Sequence, residues 1–469
     1  MRVTLPNPLG EPVTLDSDRI PRPAAILPTA VTRLARRSQL KLLLLLFGFA
    51  VLITWHPSPP FPPSYDDEWN WEKRVAKEQG QPARMIQFDI PKGTGFNHQL
   101  QRILLQHHLA VLGNRSLSYE PYVEDTTILP FNPNHWPWRS AKIPLSAFIS
   151  TVVSGFETLY DSPRAVPSWY YRAHCPSHKQ VVYTIQSPSN PDGKIDLESN
   201  GQDRIHQLQV LLGGSDDPCI RIEGEPFDNN FFNSHAPLDL YDSFVKSPAM
   251  EHFSFSPRVL SILNDRMHIL SPSTPLYNLE AAAEGKGKSA ISTPIWKHVL
   301  AMHIRRGEDW ERVCEEKGET SANMVSFNKL PSLPGNENVP PSTDMVEATR
   351  MGLYRAKCLP QTLDIIGRAR RMRKNHPLLR SVYILTDTDD AAWVGEMKKW
   401  LESEGWDHVW MGKDDVWGGW EEKEVGVAVD MEIARRAGVF VGNGFSMTSS
   451  NIVLLRARDG LHPDLTQFW

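Results

Sequence analysis

Ala301-Met302-His303-Ile304-Arg305-Arg306-Gly307-Glu308-Asp309-Trp310 closes a largely apolar run that begins at Ile295. The run reads as a buried strand whose carboxyl end presents two cations, with Gly307 turning the chain. Ligands of open α/β sheets bind beyond the carboxyl ends of the strands. Paired guanidiniums there suit a phosphate or diphosphate, because the planar fork binds oxyanions bidentately and stays charged. Pairing with nearby carboxylates is the purely structural alternative for both arginines.

Downstream the pattern repeats. A helix is predicted at Leu363–Arg373, and Ser381–Leu385 reads as a buried strand ending in Thr386-Asp387-Thr388-Asp389-Asp390. Helix Trp393–Glu404, a strand edge at Val409–Gly412 and helix Asp430–Ala437 follow. Val439-Phe440-Val441-Gly442-Asn443 then reads as a strand, with small polar residues, Ser446 to Asn451, ahead of a last helix. Such alternation predicts a parallel sheet covered on both faces. Three strand ends, 303–309, 386–390 and 442–451, carry polar clusters, which points to one shared ligand site. The acids at 387–390 resemble the DxD of metal-dependent glycosyltransferases. With arginines at hand to neutralise phosphate, metal-free binding is expected.

Upstream, Met85–Ile90 reads as a strand that runs into a turn containing Gly93 and Gly95. From about Asn97 the pattern is helical: Leu100, Ile103, Leu104, His107 and Val111 share a face, and Gly113 ends it. With a strand at Leu117–Tyr119 this is a βαβ unit, whose turn aims backbone N–H groups at an anion. The spacing is not GxGxxG, so a dinucleotide fingerprint is not supported. Asn97 occupies the place of an N-cap. Between 120 and 285 a strand is predicted at Leu208–Leu212 and a helix at Pro257–Ile269, capped by Ser256. Trp136, Trp138, Trp169, Tyr170 and Tyr171 read either as a groove lining or as core. Ala281–Ser289, with Gly285 and Gly287, is the expected interdomain junction.

A chain of 469 residues exceeds the usual single core. The expected division is a cytoplasmic tail (1–41), a membrane anchor (42–55), a stalk (56–83) and two domains, 84–285 and 286–469. A net charge of -5 gives no general pull toward nucleic acid. The 14-residue apolar run Leu42–Trp55 follows Arg33, Arg36, Arg37 and Lys41 and precedes Asp66, Asp67 and Glu68. That bias leaves the amino terminus in the cytosol and the rest in the lumen, a single-pass type II arrangement. So short a run suits the thinner membranes of the endoplasmic reticulum or Golgi. A cleaved signal peptide is the alternative, but the leading segment is too long for an n-region. The stalk opens with five prolines in nine residues, His56 to Ser64. Cys175, Cys219, Cys314 and Cys358 all lie beyond the anchor, as expected in an oxidising lumen, and allow three pairings or free thiols. No CxxC or Cys/His spacing suggests zinc. Asn114-Arg115-Ser116 is a glycosylation sequon if luminal.

Three segments in order resemble the protein O-fucosyltransferase superfamily of GT-B glycosyltransferases. They are Gly93-Thr94-Gly95-Phe96-Asn97-His98-Gln99 with Leu112–Ser116, then His303–Trp310 with Cys314, then Phe440–Ser450. The resemblance implies two Rossmann-like domains facing a cleft that holds GDP-fucose. It also implies inverting transfer to a hydroxyl of a protein or glycan, with no cofactor. Arg305 is then the main catalytic residue, holding the β-phosphate as GDP departs, and Asn97 faces it near the sugar. His303, Arg306, Asp387, Ser446, Thr448 and Ser449 bind nucleotide, Asn443 shapes the turn, and Gly93 and Gly95 set Asn97. Cys314 pairs with Cys358, leaving Cys175 with Cys219. The family's acidic base candidate in the glycine turn has no counterpart in Lys92-Gly93-Thr94-Gly95, so the base is unassigned. A non-catalytic binding module of the same fold, or a transferase using another nucleotide sugar, are the alternatives.

Overall fold

Short apolar strands alternating with helices build two separate parallel sheets. The computed structural model describes residues 3–6 and 12–15, five residues within 41–48, and 64–469 except 79, 81, 90–92, 125–126, 128, 130, 133–138, 156–163, 187–189, 271–294, 308 and 335–344. Contacts group the chain into two units, 1–61 and 62–469. In the first, β1 (Val3–Pro6) pairs antiparallel with β2 (Pro12–Leu15). Of the expected anchor, Leu44, Leu45, Phe47 and Gly48 are described; they are helical and exposed. Among the described residues no helix is long and apolar enough to cross a membrane. The rest of the anchor, the junction at 281–289, Trp136 and Trp138 lie outside the described residues.

The larger unit contains β3 (Met85–Phe88), β4 (Ser116–Tyr119), β5 (Phe131–Asn132), β6 (Arg139–Ser140), β7 (Val166–Pro167), β8 (Val181–Thr184) and β9 (Cys219–Glu223). It continues with β10 (Val299–His303), β11 (Ser381–Leu385), β12 (His408–Met411), β13 (Val439–Gly442) and β14 (Thr466–Phe468). The first sheet runs β7-β4-β3-β9-β8 and the second β12-β11-β10-β13-β14, every neighbour parallel. β5 and β6 form a small antiparallel ribbon apart from both. All residues of β10, β11 and β13 are buried, as strands covered on both faces require. The apolar run at 295–304 divides, however: Trp296–His298 is a 3₁₀ turn and the strand starts at Val299.

The helices predicted at 363–373, 393–404, 430–437 and 257–269 are Thr362–Asn375, Ala391–Ser403, Trp420–Arg436 and Pro257–Leu270. Ser256 caps the last, its Oγ accepting from Val259 N at 3.2 Å. The strand predicted at Leu208–Leu212 is instead part of a helix, Gly201–Gly214. Asn200 starts it by accepting from Gln202 and Asp203 N–H groups, and Ile205, Leu208 and Leu212 lie buried at helical spacing. A short apolar run does not distinguish the two, and the cap decides. Tyr170 and Tyr171 are buried and Trp169 partly so; they are core, not groove.

Helix Phe96–Leu112 is buried over most of its length and meets helix Met447–Arg458. Its polar residues are matched across that contact: Gln101 Nε2 donates to Ser450 Oγ at 3.2 Å, and Asn451 Nδ2 to Asn97 O and Oδ1 at 2.9 Å. Beyond the far end of the same region lies a buried ion cluster. Glu432 holds Arg435 (2.7 Å) and Arg436 (2.6 Å), and Asp459 holds Arg435 and Arg458. Arg456, fully enclosed, donates to the carbonyls of Ala437, Ala434 and Leu465 and to Thr466 Oγ1. Disulfides join Cys175 to Cys219 and Cys314 to Cys358, with Cα separations of 5.6 and 5.7 Å.

Candidate active site

The three polar strand ends belong to β11, β10 and β13, which are neighbours in that order, so all three clusters meet at one carboxyl edge. A cleft of about 360 Å³ opens there, lined by His303, Arg305, Asp387, Asp389, Asp430 and Thr448 among others. A larger cavity, about 550 Å³, lies at the opposite ends of β10 and β13, beside Trp296, Lys297 and Gly438. The smaller one has the position where parallel sheets bind ligands.

The turn after β10 is built around Asp387. Its Oδ1 accepts from Arg306 N at 2.8 Å and Gly307 N at 2.9 Å, while Oδ2 lies 3.5 Å from Arg305 Nε. A Cβ on Gly307 would come within 2.5 Å of Asp387 Oδ2, so a side chain there would push the Asp387 carboxylate out of place. The Arg305 guanidinium rests 4.3 Å from the centroid of the Trp310 ring and is 38% exposed, so Asp387 orients it without sealing it. Arg306 does not join it. Successive residues of an extended chain point to opposite sides, and the Arg306 side chain bonds Pro360 O at 3.1 Å and stacks on Trp393, away from the cleft. The expectation of a nucleotide contact through its guanidinium is corrected accordingly.

His303 is buried and shares a 2.8 Å hydrogen bond with Ser449 Oγ, which also accepts from Asn443 N at 2.8 Å. Burial, reinforced by Arg305 and opposed by Asp387, lowers the His303 pKa to about 4, so the ring is neutral at ordinary pH. Ser446 caps helix Met447–Arg458 by accepting from Thr448 N. Asn443 Oδ1 accepts from Phe445 N, and its Nδ2 donates to Cys358 O at 2.7 Å. The same carbonyl accepts from Trp310 Nε1 at 3.0 Å, so the Cys314–Cys358 disulfide sits directly behind Arg305's stacking partner. Asn443, Ser446 and Ser449 are buried scaffolding of the turn, whereas Thr448 reaches the cleft.

Asn97 enters from the other sheet. Gly93 has φ +76° and Gly95 is the N-cap, so Asn97 lies in the first helical turn and not at the cap position. Its Nδ2 donates to Thr448 Oγ1 at 2.9 Å. Asn97 and Arg305 are thereby linked to one cleft through Thr448. Asn114, exposed at the end of the same helix, has φ +52°.

Several lining residues escaped the sequence reading: Glu124, Arg139, Lys413 and Trp417. Lys413 bonds Asp389 Oδ1 at 2.6 Å. Trp417 lies against Gly412 and Gly426, where any Cβ would overlap its ring. A signal existed, because β12 also ends in a charged turn and borders β11. Asp430, deep in the cleft, accepts from Tyr383 OH at 2.6 Å, and burial pushes its pKa up to about 8. Among the described residues no group of three or more His, Cys, Asp or Glu could hold a metal ion.

Residues 226–458 match the family described as GDP-fucose protein O-fucosyltransferase. The structure of POFUT1 in complex with GDP-fucose is 15% identical over 84% of this chain and 99% of that one, with a TM-score of 0.51. POFUT1 in complex with GDP is 16% identical over 83% and 99%, at 0.49. A mutant of Arabidopsis thaliana FUT1 in complex with GDP is 11% identical over 86% and 79%, at 0.36. A search among curated proteins finds no match. The fold and the three motifs in order define a GT-B-like α/β protein. The family match spans 233 of the chain's 469 residues, and the likeness to POFUT1 is one of fold.

Proposed function

We propose that the chain transfers fucose from GDP-fucose to a hydroxyl of a protein or glycan acceptor, with inversion and without a metal. The observation that carries this is a half-exposed Arg305 at the carboxyl end of β10, opening on the cleft that Thr448 links to Asn97. A guanidinium fixed before reaction neutralises the departing diphosphate at little reorganisation cost. Arg139 and Lys413 line the same cleft and add positive charge, so phosphate neutralisation needs no cation. His303, held neutral, positions Ser449 and the turn; Asp430, largely protonated at neutral pH, offers a hydrogen-bond donor to the nucleoside.

The same reading takes 84–285 as the acceptor side, 286–469 as the GDP-sugar side and 42–55 as a type II anchor in the endoplasmic reticulum or Golgi. Two disulfides favour a luminal catalytic part, since such bonds persist in oxidising compartments. Asn114, exposed, is then open to glycosylation.

A thermal-shift panel of GDP-, UDP- and CMP-sugars tests the donor class. Stabilisation by GDP-fucose is expected, and a chain stabilised only by UDP- or CMP-sugars ends the proposal. Transfer assayed with EDTA is expected to persist; abolition by chelation removes the metal-free claim.

A further inference from the structure

Asn97 and Thr448 join the two sides of the cleft at one place, and a second tie lies beside its lining. We infer that Glu424 is a positioning residue of the transfer: its carboxylate fixes the ribbon that carries Arg139 against the helix that carries Asp430. The assignment rests on the function proposed above. Glu424 is buried near the start of helix Trp420–Arg436. Its Oε2 accepts from Tyr65 OH at 2.7 Å, and its Oε1 accepts from Ser140 N. Those donors come from distant parts of the chain. Ser140 ends the β5–β6 ribbon, next to Arg139, and Tyr65 precedes helix Asp66–Glu78. Tyr65 falls in the stretch expected to be stalk, yet it is only 2% exposed.

Both ends of the tie border the cleft. Arg139, paired with Glu124 at 3.5 Å, is the chain neighbour of Ser140. Val427 lies three residues past Glu424, on the same helix face. Both line the cleft, as does Asp430 one turn further on. The ribbon pairs with neither sheet, so its place at the cleft depends on side-chain anchors such as this one. Tyr65 is held in turn. The Arg258 guanidinium lies 5.3 Å from its ring centroid and bonds Glu68 at 2.6 Å and Glu421. Glu68 is in the helix that follows Tyr65 and Glu421 in that of Glu424, so the network closes on itself. Burial raises the Glu424 pKa, and the bonds from Ser140 and Tyr65 and the charge of Arg139 oppose it. A buried carboxylate is costly unless hydrogen-bonded; here both oxygens are used, and they join three segments. A site held rigid before its ligand arrives binds more tightly, because less ordering remains to be done. The tie therefore bears on donor affinity.

The test uses the full-length chain, with GDP binding measured by calorimetry and GDP-fucose turnover assayed alongside. Glu424→Ala is expected to raise the Kd for GDP and the KM for GDP-fucose about tenfold, with kcat within about threefold of wild type, the pattern of lost uniform binding. Glu424→Gln still accepts from Ser140 through its carbonyl oxygen and donates to Tyr65 through its amide, so both constants should stay within about threefold of wild type. A purely structural tie predicts otherwise. Glu424→Ala would then lower the unfolding midpoint while Kd and KM of the folded protein stay put, and that result overturns the assignment. Glu424→Gln as impaired as Glu424→Ala overturns it too. If Glu424→Ala does not fold, Tyr65→Phe decides, since it removes one hydrogen bond: a Kd for GDP raised about threefold or more supports the tie, and an unchanged Kd rejects it. Wild type that binds no GDP overturns the transfer reading itself, and this assignment falls with it. Wild type that binds GDP beside variants with unmoved constants overturns the assignment alone.

Discussion

Two charge-rich regions flank the second sheet, and they are charged for opposite reasons. In the cluster of Glu432, Arg435, Arg436, Arg456, Arg458 and Asp459, each arginine is largely buried and its guanidinium is matched to carboxylates or carbonyls. In the cleft, Arg305 has an aromatic face beneath it, one carboxylate at 3.5 Å and open space ahead. The first arrangement is saturated and the second is poised. Saturated charges fix structure, because breaking one leaves its partner buried and uncompensated. A charge held at one side only remains available for a ligand.

The largest effect that separates the two regions is expected from Glu432→Ala. It removes the carboxylate of Arg436 and one of the two that hold Arg435, and should cost about 3–5 kcal/mol in denaturant unfolding, with the GDP affinity of the folded fraction unchanged. Arg305→Ala should invert that outcome, lowering kcat/KM for transfer by about 10²–10³ while the unfolding midpoint moves little. If Arg305→Ala destabilised the chain as much as Glu432→Ala, the distinction would be lost. Thr448→Val, which removes Asn97's partner across the cleft, should lower kcat/KM about tenfold, or ~1.4 kcal/mol. A smaller effect concerns pH. Asp430 titrates near 3.8 when unfolded and about 8 when folded, so the folded chain binds the extra proton between those values. Its contribution to stability is therefore full below about 3.8 and is lost as pH rises toward 8. Asp430→Asn should flatten that slope in pH-dependent melts. Least affected should be Arg306→Gln, whose side chain faces Trp393; kcat/KM within about threefold of wild type is expected.

Much of this edge was legible because β10, β11 and β13 are continuous apolar runs that stop at polar residues. A parallel sheet buried on both faces admits few other readings of such runs. What stayed hidden depended on direction and context. Two adjacent arginines look equivalent in sequence, yet the backbone after His303 sends 305 into the cleft and 306 behind it. Leu208–Leu212 resembles a strand because five residues carry too little periodicity, and the decisive cap at Asn200 lies outside that window. Lys413 and Trp417 sit in a π-helical turn and beyond it, where no propensity marks a lining residue. Glu124 and Arg139 come together only through folding of the segment after β4, which local sequence does not encode.

The carbonyl of Cys358 carries a consequence for how the enzyme is made. It fixes both the indole beneath Arg305 and the amide of Asn443, and it belongs to a residue locked by a covalent bridge. The arginine's posture is thus coupled to whether that bridge has formed. Chains assembled where thiols stay reduced would lack that brace, so recombinant hosts with an oxidising secretory route are the natural source of competent protein.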